Sequence, residues 1–125
     1  MELHNEIVEI FTVIGNSKIF FTFILVTITD IVLGKSRAFK ENKFNSYTGV
    51  NGLIKHILTI LIVLLVSVCA RLLGYNGVGS SLAGFIILDY LVSIYANAEI
   101  LGIPLPELEV IKPEIERKLG GKNDL

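Results

Sequence analysis

Residues 53–73 read LIKHILTILIVLLVSVCARLL. Between Ile57 and Ala70 nothing carries a charge, and Lys55 and Arg71 lie near opposite ends of the stretch. About 20 apolar residues at 1.5 Å each cross the hydrocarbon core of a bilayer, so a transmembrane helix is predicted over 53–73. Long basic side chains at its two ends can extend along the helix to headgroup level.

Similar segments flank it. Upstream, Ile19 to Leu33 reads IFFTFILVTITDIVL, and extending it back to Ile10 adds only Lys18 to the charge of Asp30. A span over 19–34 is predicted. Ahead of it, Leu3, Ile7, Ile10, Phe11 and Ile14 repeat at helical spacing with Glu2, Glu6 and Glu9 mostly off that stripe, so residues 1–18 are expected to form an amphipathic N-terminal helix. Downstream, Val78 to Ala98 reads VGSSLAGFIILDYLVSIYANA and is interrupted only by Asp89. A third span over 78–98 follows. The expected fold class is therefore an all-α membrane protein with three transmembrane helices, and the composition agrees: 52% hydrophobic residues and a mean hydropathy of +0.67 in 125 residues.

The connections differ in charge. Residues 35–52, KSRAFKENKFNSYTGVNG, read as a basic polar loop; residues 74–77, GYNG, read as an uncharged turn. In the tail, 99–125, Pro104, Pro106 and Pro113 interrupt regular helix, and Leu108, Ile111, Ile115 and Leu119 suit a short surface-lying helix. Nine of the eleven Lys and Arg residues fall between Lys35 and Lys55 or in the tail, with Lys18 and Arg71 on the other side. The positive-inside rule then places the 35–52 loop and the C-terminus in the cytoplasm and the N-terminus outside. Acidic residues stand where a secretory leader needs positive charge, so no cleaved leader is expected. A net charge of −1 supplies no global field for nucleic acid.

Few residues suggest chemistry. LGKS at Leu33 to Ser36 lacks the glycine a phosphate loop needs at position 29, which is Thr29, and it follows a membrane segment rather than a strand. The glycines of GYNGVGSS have no strand context and suit a tight turn. His4 is isolated, and His56 reads as an interfacial residue beside Lys55. Cys69, the single cysteine, reads as packing. Neither an enzyme nor a cofactor or metal site is expected.

Two acids remain. A charged carboxylate in mid-span costs on the order of 3 kcal/mol, so each must find protein, water or a proton. Asp30 lies at a depth similar to Lys55 on the next span, and an ion pair between them is expected. Asp89 lies near the middle of its span, with Arg71 too shallow to be a good partner; it is expected to face other helices or an aqueous lumen in an oligomer. Gly79 with Ala83, and Ser80 with Gly84, are small residues four apart that permit close helix packing, which makes the third span the best candidate for self-association.

The order of these features resembles the toxin-secretion/phage-lysis holins, bacteriophage holin family 4. The resemblance is carried by Asp30, then Gly34, Ala38, Lys40, Ser46, Gly49, Gly52, Leu53 and Lys55, and, after an apolar span, by Asn97, Leu101, Gly102, Ile103, Pro104 and Pro106, over roughly residues 25–120. It departs from the family at Ala96, where relatives often carry Glu. Met1 is the only methionine, so an internal methionine start, known in some holins, is not expected. The resemblance implies a protein of the bacterial cytoplasmic (inner) membrane that forms homo-oligomers in the lipid bilayer. It implies lesions through which a cytoplasmic murein hydrolase or a large toxin escapes, with no part for nucleic acid. An accessory or scaffold subunit, or a small-solute channel, is the alternative reading.

Overall fold

The computed structural model describes residues 2–43 and 45–103, together with Pro113 and Arg117, and no side chain of 46–48. The expectations for Pro104, Pro106 and the Leu108 to Leu119 helix lie outside the described residues. The chain forms four helices: α1 (Glu2–Gly15), α2 (Lys18–Lys40), α3 (Ser46–Leu72) and α4 (Val78–Ile100). The last three are long and apolar enough to cross a membrane.

α1 and α2 are separate. The chain breaks at Asn16 and Ser17, and Ser17 takes the extended backbone (φ −78°, ψ 128°) usual ahead of a helix. The first span therefore begins at Lys18 and does not continue the N-terminal helix. Ile14 is buried beside Phe20 and Phe23, with Ile10 packed on the same cluster, while Leu3 and Phe11 are exposed.

The basic segment is mostly helix. It was expected as a loop over 35–52, but α2 runs on to Lys40 and α3 starts at Ser46, leaving a short connection. The reason is local: Lys, Arg and Ala are good helix formers, and nothing in KSRAFK breaks a helix. LGKS accordingly lies inside α2, where the Ser36 hydroxyl donates to the Val32 carbonyl (2.9 Å).

Three helices end the same way. At the end of α2, Lys43 N–H donates to Ala38 and Asn42 N–H to Phe39, with Asn42 at φ 58°. At the end of α4, Ile103 N–H donates to Ala98 and Gly102 N–H to Glu99, with Gly102 at φ 79°. Gly74, at φ 90°, closes α3 by the same pair of bonds. These are Schellman ends, which satisfy the last carbonyls and need a left-handed residue that Gly or Asn tolerates best. Gly102 of the motif therefore has a backbone reason to be glycine.

The bundle core is a thin seam. On α2, Phe20, Phe23, Thr27 and Asp30 are buried at steps of three and four, and they face Val63 and Ser67 on α3 and Gly79 and Ala83 on α4. α2 packs most extensively against α4. Gly79 is the tightest of the described glycines: a β-carbon there would lie 2.6 Å from the Ser67 Cβ and 2.8 Å from its Cα, and nearer still to the Oγ. Outside the seam the helices are apolar, with Phe21 68% exposed, Leu65 63% and Phe85 73%. Water would penalise that surface, whereas lipid does not. Buried hydroxyls bond within their own helices, Thr27 to the Phe23 carbonyl (2.7 Å) and Ser67 to Val63 (2.6 Å), as a medium without water requires.

Candidate functional site

Asp30, on the buried stripe of α2, meets polar groups from both other spans. Its Oδ2 lies 3.7 Å from His56 Nε2 on α3, an ion-pair rather than a hydrogen-bond distance. On its other side the His56 ring places Nδ1 3.2 Å from the Tyr90 hydroxyl on α4, with the rings edge to face at 5.2 Å between centroids. A neutral imidazole with its proton on Nε2 turns that proton toward Asp30 and accepts from Tyr90. The expected pairing of Asp30 with Lys55 is thus replaced by His56. Lys55 is exposed, one position and about 100° further round α3. His56 is half-buried among the helices, whereas Lys55 is turned outward.

Toward the basic end, the cations of α2 tie the other helices down. Arg37 Nε donates to Glu41 Oε1 (2.6 Å), and its Nη1 donates to Asn97 Oδ1 on α4 (3.2 Å). Lys40 Nζ donates to the carbonyl of Ile100 (2.6 Å), and Lys35 Nζ to that of Gly49 (3.3 Å). A helix C-terminus leaves unpaired carbonyls and partial negative charge, so Lys40 answers both at the end of α4. Asn97 is buried in the contact, flanked by buried Ala96 and Ala98. The two motif blocks, far apart in sequence, meet here where Lys40 reaches the Ile100 carbonyl and Arg37 reaches Asn97.

Between these groups lies a cavity of about 540 Å³, with Asp30 and His56 deep in it and Arg37, Glu41 and Lys43 among its outer lining. Gly34, Ala38, Gly49 and Gly52 of the motif line it as well. Among the described residues no group of three or more His, Cys, Asp or Glu is placed to hold a metal.

Arg37, Glu41, His56 and Tyr90 escaped the sequence reading as partners. For Arg37 and Glu41 a signal existed in their spacing of four on one helix. Hydrogen bonding from Arg37 holds the Glu41 carboxyl below its ordinary value of 4.5, with nearby Lys43 adding to the effect. A carboxyl lowered in the folded state stabilises above its ordinary pKa, and that contribution disappears as pH falls through the lowered value. In Arg37→Ala the Glu41 midpoint is expected to rise, followed by carboxyl NMR in micelles; an unmoved midpoint would refute the pairing.

The helix-packing residues sort by exposure. Gly79 and Ala83 are buried between α4 and the rest of the chain, so they pack the bundle itself and are not offered to a second copy. Ser80 and Gly84 are half-buried, and a β-carbon at Gly84 would sit 3.7 Å from Ile19 Cδ1 on α2. Asp89 is exposed on the outer surface of α4, next to Tyr90.

The model of the bacteriophage holin family matches residues 9–115. No curated protein and no solved structure matches the chain. With most of its length inside that match, and with three span-length helices, the chain belongs to the bacteriophage holin family.

Proposed function

We propose that copies of this protein assemble in the bacterial cytoplasmic membrane and open lesions through which a cytoplasmic murein hydrolase, or a large toxin, leaves the cell. The N-terminus lies outside and the basic end inside, in keeping with nine of eleven basic residues on one side. One copy has a closed seam, filled by Phe23, Val63 and Ala83, so passage of a folded protein needs many copies. The observation that carries this reading is Asp89, exposed near the middle of an otherwise apolar span. In lipid a charge there costs on the order of 3 kcal/mol, and a neighbouring copy or an aqueous lumen would lower that cost.

Expression in bacteria followed by collapse of the membrane potential tests it. Release of a cytoplasmic reporter enzyme is the expected result. A scaffold subunit would release nothing, and a small-solute channel would pass a dye but retain the enzyme. Asp89→Asn is expected to shift the time of release and the oligomer size in crosslinking; if both stay as in the parent, Asp89 has no part in assembly.

A further inference from the structure

The cavity at the basic end contains one group whose hydrogen-bonding capacity the chain leaves unused. Asp30 is 9% exposed, and its Oδ1 is buried without a hydrogen-bond partner among the described residues. Its other oxygen faces His56. Nearer the mouth the polar groups have contacts within the chain: Arg37 with Glu41 and Asn97, Lys43 with Glu41 at 3.6 Å, and Lys35 with the Gly49 carbonyl. The unanswered group is therefore an acceptor, and it sits at the deep end. A buried acceptor of this kind costs free energy until a donor reaches it.

The walls leave room for one. Gly34 on α2 and Gly52 on α3 line the cavity, and a β-carbon at either would meet no protein atom within 4 Å. The space beside these glycines is thus cavity, not helix contact. About 540 Å³ falls among ordinary small-molecule sites.

We infer that this cavity binds a primary ammonium group, which pairs with the Asp30 carboxylate on its wall. Ser93 lines the same space, and water can take the remaining protons. A coordinated metal ion finds only Asp30 and His56, fewer than the three ligands that such a site needs. A primary amine brings positive charge and several donors in one compact head. Two sources share that chemistry: a free amine in solution, and the ethanolamine headgroup of a phospholipid.

The full-length protein, purified in a nonionic detergent, is titrated with ethanolamine while its thermal midpoint is followed, with tetramethylammonium as a cation that has no N–H to donate. In parallel, the protein is placed in phosphatidylcholine nanodiscs with and without phosphatidylethanolamine. A saturable rise in midpoint with ethanolamine, absent with tetramethylammonium, is expected for a free amine; a rise only with phosphatidylethanolamine identifies the headgroup. Gly52→Phe projects a ring into the cavity and leaves Asp30 in place, and it is expected to weaken the response at least tenfold with helical content unchanged; Asp30→Asn is expected to abolish it. The inference is overturned if neither amine source shifts the midpoint, if tetramethylammonium acts equally, or if Gly52→Phe responds like the parent. Binding to the purified chain is read without any lesion, so this outcome and the release assay stand or fall separately.

Discussion

Gly79→Val is expected to prevent α3 and α4 from closing and to abolish release. The obstacle is not a side-chain tip that could swing aside. A β-carbon at position 79 lies 2.8 Å from the Ser67 Cα, so the two backbones must move apart before even alanine fits. Alanine in a helix is worth about 1 kcal/mol over glycine, while overpacking a fitted contact costs about 1–3 kcal/mol. With main chain as the obstacle the second effect wins, so Gly79→Ala is expected to be destabilising and Gly79→Val more so. Ser67→Gly removes the Cβ and Oγ but not the Cα, and it should restore only part of the loss, a coupling that a double-mutant cycle on thermal midpoints would measure. Gly84→Ala is the control: its β-carbon meets Ile19 at 3.7 Å, an ordinary contact, and stability should hold or rise. A parental midpoint in Gly79→Val would show that the two helices do not meet there.

Arg37→Ala is expected to loosen the basic end by about 2 kcal/mol, because truncation strands the buried Asn97 Oδ1 that Arg37 now serves. The Glu41 contact on the wetter side contributes little beyond holding the guanidinium in place. Lysine should not substitute fully, since one ammonium cannot reproduce two donors aimed from a planar fork at Glu41 and Asn97. Hydrogen exchange in the last turn of α4 should quicken in Arg37→Ala while the middle of α3 stays protected. A loss under about 0.5 kcal/mol, with unchanged exchange, would remove Arg37 from the account.

The spans were legible because length and hydropathy decide them: 53–73 carries no central charge, and the lipid-facing residues that make it apolar are the ones the structure leaves exposed. Azimuth was not legible. A helix that is apolar all round has no stripe to say which way it is turned, so depth alone matched Asp30 with Lys55, while packing turned the adjacent His56 inward instead. The small residues of α4 were legible as packing residues, but their partner was not: Gly79 lies against Ser67 of the same chain, and serine in an apolar run gives no warning of that contact. Polarity misled at 35–52, where charged residues that favour water also favour helix. The use of Asn97 was visible only once α2 and α4 lay side by side, since sixty residues separate Arg37 from Asn97.

α3 comprises 27 residues, about 40 Å of helix at 1.5 Å per residue, against roughly 30 Å of hydrocarbon in an average bilayer. Such a rod must lean or project. Because α2 is fastened to both neighbours through Lys35, Arg37 and Lys40, tilting one helix is expected to carry the others with it. Thinner sheets should make the whole bundle lie over, and thicker ones should stand it upright.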